Sequence, residues 1–299
     1  MLEEETLEKY RRAGKIAAKV REEMKRKTKE GMPLLEICEK TEHLITSMGG
    51  KPAFPCNVSV NEIAAHYTSP PDDDQTVPNN SLVKIDIGVH VDGYVADTAV
   101  TVCFNPELEG MVHASEAALE TAIKTIRPNI HTSDLGSEIQ RTIERRGYKP
   151  ISNLTGHQVG RYVIHTGKSL PNVTHISFTK INAGDVCAIE PFVTLRDAAG
   201  RVEDGPETFI FRFVKRKPVK DLEAAQLLRF IEEEYRTLPF AERWLKTYNN
   251  GHGYKAAFAN LLASKCIMSY PVFIEASQKP VAQSEHTVYI DRNSAVVLT

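Results

Sequence analysis

Apolar residues at Leu7, Tyr10, Ala13, Ile16, Ala17, Val20 and Met24 recur at three- and four-residue steps, which predicts a first helix stopping near Gly31. Residues 34–48 predict a second, ended by Gly49-Gly50. An irregular strand region, "KPAFPCNVSVN", and a Pro- and Asp-rich loop, "TSPPDDDQTVPNN", follow. The period then drops to two. In "SLVKIDIGVHVDGYVADTAVTVCF" (81–104), two runs of Val, Ile, Ala and Thr flank Asp92-Gly93, which reads as a β-hairpin. Residues 108–126 and the stretch "TSDLGSEIQRTIERRG" predict two more helices, the latter with a Thr/Ser start and Gly147 as its stop. "YKPISNLTGHQVG" and a strand, "AGDVCAIEPFVTLRDAAG", come next. Helix, helix, Gly, Lys-Pro, strand and acidic strand thus occur twice, which suggests two halves about a pseudo-twofold. Residues 196–272 turn helical and highly charged before strand character resumes at "QSEHTVYI". This predicts a body of residues 1–195 and 273–299 carrying an inserted helical subdomain, 196–272.

The hairpin poses a chemical problem, because each arm holds an aspartate in its interior, where strand propensity is poor. Val83, Ile85, Ile87, Val89 and Val91 alternate with Lys84, Asp86, Gly88 and His90, so Asp86 lies on the second face. With a two-residue turn, Val91 pairs with Tyr94 and Gly88 with Asp97. Asp97 then sits diagonal to Asp86, within roughly 7 Å at Cβ. Two carboxylates that close repel unless a proton or cation lies between them. A solvated face with ordinary surface charges is the alternative, and a different turn length would shift the register.

Composition narrows the class. With 41% apolar and 25% charged residues the chain reads as a soluble globular protein. A net charge of −2 offers no electrostatic footprint for nucleic acid or an anionic membrane. The cysteines Cys38, Cys56, Cys103, Cys187 and Cys266 are odd in number and form no C-x-x-C pair, so reduced thiols in a cytoplasmic protein are expected. The opening "MLEEETLEKYRRAG" is acidic and amphipathic, unlike a signal peptide, and no apolar run is long enough to span a membrane.

Five acidic or His positions sit where strands prefer apolar residues: Asp86, Asp97, His157 in "LTGHQVG", Glu190 in "AIEPFV" and Glu285 in "AQSEHTVYI". A charge in a buried strand is costly unless paired or bound to metal. Brought to one face, four carboxylates and an imidazole would hold two divalent cations and activate a shared water. Oxygen-rich ligation with one imidazole suits manganese, iron, cobalt or zinc. His66 in "NEIAAHYTSP", His165 in "RYVIHTGK" and His286 beside Glu285 are further candidates, each also readable as an ordinary core or surface histidine.

The motifs "PAFPCNVSVNEIAAHYT", "VKIDIGVHVDGYVADTAVTV", "LTGHQVGRYVIHTGKSLPNV", "AIEPFVT" and "VAQSEHTV" together resemble the type 2 methionine aminopeptidases of archaeal form, over the whole chain. The resemblance implies an α+β pita-bread (creatinase-like) fold, two pseudo-symmetric halves around a curved antiparallel sheet, with a helical insertion between the fourth and fifth ligands. It implies that Asp86 chelates one metal, that Asp97 and Glu285 bridge both, and that His157 and Glu190 complete the second site. His66 and His165 would face the substrate, and Glu190 would also shuttle protons. Phe54, Ile164 and Tyr270 match positions lining the methionine pocket. The family's pocket histidine on the strand after the fourth ligand has no counterpart in "RVEDGPETF". The lack of a long basic N-terminal extension fits the archaeal form. Implied partners are N-terminal Met peptides and nascent chains, with the ribosome as a candidate, and a monomer is expected.

A proline-specific peptidase of the same fold would share all five ligands, but the insertion and the "AAHYT" and "VAQSEHT" wording favour the methionine enzyme. A non-catalytic relative that binds RNA or protein would usually have lost ligands, and all five candidates are present.

Overall fold

The alternation around Asp92-Gly93 becomes a long antiparallel hairpin in the computed structural model, which describes residues 1–251 and 254–299. Leu82–Val91 pairs with Tyr94–Cys103, with Val91 opposite Tyr94 and Gly88 opposite Asp97. The turn holds both central residues at positive φ, Asp92 at 52° and Gly93 at 88°, the primed geometry whose twist suits a hairpin. Ile85, Ile87 and Val89 are fully buried on one face against helix α1 (Glu4–Lys27) and helix α2 (Leu34–Ser47). Each is worth about 1.5–3 kcal/mol relative to exposure. A one-residue slip would surrender all three and turn Asp86 into the helix layer, so the register is strongly set.

The hairpin is the centre of one half of a nine-stranded antiparallel sheet. From it the order runs Tyr94–Cys103, Glu285–Ile290, Val186–Ile189, Thr155–Gln158, Ser169–Pro171. Helices α3 (Glu109–Thr125) and α4 (Thr132–Glu144) pack on the other half through Met111, Ala118 and Ile139 against Cys187, Ile189, Val288 and Ile290. The two helix pairs therefore cover the same face, and the alternate residues of every strand look the other way. The twofold reading extends to detail: Lys51–Pro52 follows α2 and Lys149–Pro150 follows α4, each as a short strand.

Helicity in the insertion is more limited than its sequence suggests. Val202–Phe213 is a long strand paired with Ile267–Glu275, and the helices are α5 (Leu222–Tyr235), a 3-10 segment (Glu242–Gly251) and α6 (Tyr254–Ala263). Charged Glu203, Asp204 and Glu207 are exposed along the first part of that strand, which masks its β pattern. The pair is joined on one side by Pro239–Ala241 and on the other by Ile63–Ala65, tying the insertion to the first half. Its own core gathers Phe211, Leu227, Ile231, Phe240 and Phe258. Arg243 and Glu42 form a buried ion pair that anchors it to α2, and Trp244 Nε1 donates to Glu42 Oε2 at 2.8 Å. Among the described residues, no helix is long and apolar enough to cross a membrane.

Candidate metal centre

Sheet parity explains why residues two hundred positions apart meet. Asp86 pairs with Ala99 across one edge of Tyr94–Cys103, and Glu285 pairs with Ala99 across the other. Asp97 is two residues from Ala99, so all three carboxylates share the face turned away from the helices. One strand further, His157 pairs with Ala188, and Glu190 lies two residues beyond Ala188 on the same side. Five neighbouring segments thus deliver one candidate ligand each. Threonine hydroxyls lock the central seam: Thr287 Oγ1 donates to Asp97 O and accepts from Asp97 N, both at 2.8 Å, and Thr98 Oγ1 donates to Glu285 O at 2.8 Å.

The donor atoms of Asp97, His157 and Glu285 all lie within 4.8 Å of one another. His157 Nε2 is 3.7 Å from Asp97 Oδ2 and 3.5 Å from Glu190 Oε1. Burial raises the pKa of Asp86 to about 7. Burial, then the neighbouring negative charges, push Asp97, Glu190 and Glu285 well above the carboxylate range. His157 is held neutral, its pKa lowered to about 3 chiefly by burial and then by His165.

Whether these residues suit divalent cations is decided by what they lack. Asp86 Oδ1, Asp97 Oδ1 and Glu285 Oε1 are buried with no hydrogen-bond partner. Among the described residues no Lys or Arg lies within ion-pair distance of the four carboxylates. Uncompensated ions cost several kcal/mol each in such a place, so the group is stable only protonated or with cations bound. The donor set fits hard or borderline divalent ions. Asn57 Nδ2 donates to Asp86 Oδ2 at 3.5 Å and Gln283 Nε2 to Glu285 Oε2 at 3.2 Å, fixing the carboxylate planes from behind. Sequence reasoning passed over both, although each is another polar residue at a buried strand position.

A cavity of about 360 Å³ opens over the cluster, lined by Phe54, His66, Asp86, Asp97, His157, Ile164, His165, Glu190, Tyr270 and Glu285 among others. It therefore brings together every candidate ligand, the two histidines expected to face substrate and the three expected pocket positions. Phe54 lies across Gly88, where an added Cβ would meet its ring at 2.3 Å. Glycine at that position lets the aromatic wall approach the sheet.

His66 takes a left-handed backbone, φ 65°, and its Nδ1 is 3.2 Å from Pro271 O. That carbonyl can only accept, so the ring proton sits on Nδ1 and Nε2 remains as an acceptor. Burial lowers its pKa to about 4, and its ring packs 4.4 Å from Phe273. The His165 ring centroid is 4.2 Å from that of His157, and burial lowers its pKa too. His286 is on the helix side, with Nδ1 at 3.0 Å from both Arg21 Nη1 and Thr299 Oγ1. The stretch "RVEDGPETF" adds no lining residue; Ile210 and Phe273 form that wall, with Pro239 from the insertion. These came from tertiary pairing and had no signal of their own in the sequence.

The profile of metallopeptidase family M24 matches residues 8–217. A methionine aminopeptidase of Methanothermobacter thermautotrophicus is 44% identical over 296 residues, covering 98% of each chain. One from Methanocaldococcus jannaschii is 45% identical over 298 residues, covering 100% of both. A thermophilic Arx1 structure superposes with a TM-score of 0.83 at 16% identity, over 100% of this chain and 91% of that one. The methionine aminopeptidase of Thermotoga maritima gives 0.71 at 22% identity, over 100% and 98%. These two likenesses speak for the fold alone, the pita-bread arrangement. Identity of this order along essentially the whole length, together with the profile match, places the chain in metallopeptidase family M24, among the type 2 methionine aminopeptidases of archaeal form.

Proposed function

We propose that this chain removes N-terminal methionine from peptides and nascent proteins by hydrolysing the first peptide bond, preferring a small second residue. The observation that carries the reading is one cavity holding both an oxygen-rich donor set and an apolar wall of Phe54, Ile164 and Tyr270. Asp86, Asp97, His157, Glu190 and Glu285 would hold two divalent ions, manganese, iron, cobalt or zinc. Bound there, the ions would supply Lewis acidity and a water of lowered pKa.

The chain's own groups do the rest. The substrate's free α-amine would lie at the Asp86 end of the cluster, which makes an unblocked N-terminus a requirement. An unbranched thioether side chain fills the irregular apolar wall. Neutral His66 accepts a hydrogen bond from the scissile amide, and His165 donates to the carbonyl oxygen as it gains negative charge. Glu190, kept basic enough by burial, takes a proton as the water oxygen bonds to the carbonyl carbon. It returns that proton to the amide nitrogen as the C–N bond breaks.

The insertion, residues 196–272, serves the body of residues 1–195 and 273–299 by supplying Ile210, Pro239 and Tyr270 to the wall. The low net charge offers no electrostatic footprint for nucleic acid; the chain would act in the cytoplasm as a monomer on nascent chains, with the ribosome as a candidate partner. A proline-specific peptidase is less favoured, because the full-length relatives bear the methionine name. A panel of peptides varying the first two residues, with an N-acetylated control, tests the reading. Met should leave, Leu should leave about 10–200-fold more slowly, and Lys or Glu essentially not at all. Cleavage of the acetylated or Lys-initiated peptide would defeat it.

A further inference from the structure

Arg212 flanks the wall of the cavity and, among the described residues, has no carboxylate to neutralise it. It lies two residues beyond Ile210 on Val202–Phe213, hence on the same face, and Ile210 lines the cavity. Its partners across the sheet are Pro239 on one side and Met268 on the other, and Ile210 pairs with Tyr270. Pro239 and Tyr270 also line the cavity, so the guanidinium is flanked by the wall itself. Its charge acts on the Tyr270 phenol and the His165 ring. Arg212 Nε is buried without a hydrogen-bond partner, and among the described residues no carboxylate lies within ion-pair distance of the side chain. A guanidinium with no counter-charge and an enclosed, unsatisfied N–H is costly, and its contact with the phenol of Tyr270, a cavity-lining residue, leaves its charge open to a partner entering there.

We propose that Arg212 is a specificity residue that binds a carboxylate on the substrate beyond the scissile bond. This rests on the aminopeptidase reading above. The acidic cluster holds the amine end of the peptide, and a cation further along the wall complements negative charge downstream. The planar fork of arginine suits a carboxylate, which it can take in two parallel hydrogen bonds. The C-terminal carboxylate of a tripeptide and an acidic side chain at the third residue share this chemistry.

The test uses the metal-loaded full chain and four peptides: Met-Ala-Ser as free acid and as amide, and Met-Ala-Glu and Met-Ala-Gln as amides. Wild type should show a KM about tenfold lower for the carboxylate member of at least one pair, as a charge-assisted hydrogen bond gives. Added salt should shrink that ratio. In Arg212→Gln the ratio should fall to about one, and Arg212→Lys should retain part of it because the point charge survives. Each ratio is taken within one preparation, so partial misfolding of a variant cancels. An effect in the first pair identifies the terminal carboxylate, and one in the second the acidic side chain. Equal KM values in both wild-type pairs, or an unchanged ratio in Arg212→Gln, would overturn the inference while leaving the aminopeptidase reading intact. No Met release from any of the four by wild type would overturn both.

Discussion

Asp86 and Glu285 stand opposite the same residue, Ala99, one from each neighbouring strand. The small side chain between them and the shared face put two carboxylates beside Asp97 without a basic residue to separate them. A fold does not hold that arrangement for stability, since paired apolar residues would serve better. It is the arrangement of a cation site.

Asp97→Asn keeps the volume and removes one charge from the middle of the cluster. The expected result is loss of turnover together with a fall in metal per chain, measured by elemental analysis on folded protein. A variant with undiminished metal and near-normal rate would remove Asp97 from the ligand set.

His66→Ala should separate chemistry from metal binding. Loss of one hydrogen bond made in the transition state costs a factor of roughly 10²–10³ in kcat. Metal content should stay level, because His66 Nδ1 is committed to Pro271 O and the ring is proposed to face substrate. If metal were lost in proportion to rate, His66 would have to join the ligands.

Gly88→Ala would place a methyl where the Phe54 ring now lies, at 2.3 Å. The aromatic wall must retreat, so KM for Met peptides should rise several-fold while bound metal is retained. Unchanged KM would mean that Phe54 does not shape the pocket.

Much of this centre was legible beforehand, for a physical reason. Period-two alternation fixes which face a residue takes, so Asp86 and Asp97 could be placed together from the Asp92-Gly93 turn alone. His157, Glu190 and Glu285 declared themselves as polar residues in apolar strands, and the family resemblance ordered them. Ile210, Pro239 and Arg212 did not, because their roles arise from pairing between distant strands. The strand Val202–Phe213 itself was hidden by Glu203, Asp204 and Glu207, which face solvent and break the apolar pattern. Asn57 and Gln283 obey the rule that marks the acidic positions, since each is a polar amide at a buried strand position.

Metal removal should expose the protonation of the cluster. Asp86 has a folded pKa of about 7 against an ordinary 3.8, so without metal its protonated form belongs to the folded state. The stability it carries is full below about pH 4 and is lost as pH rises towards 7. Bound cations require the ionised form, so they stabilise more as pH rises. The difference in Tm between metal-loaded and metal-free protein should therefore widen from pH 5 to pH 7.5. Remote groups such as His90 and Lys84 cancel in that difference. A gap that narrowed with rising pH would contradict a carboxylate cluster as the binding site.

The central claim is that this buried acidic cluster works only with divalent cations and acts on N-terminal methionine. It is tested most directly by stripping the protein with a chelator and titrating it with manganese or cobalt while following Met release from Met-Ala-Ser. The stripped protein should release no Met, and activity should recover and saturate at about two equivalents per chain. Full activity in the stripped protein, or no Met release at any loading, would contradict it.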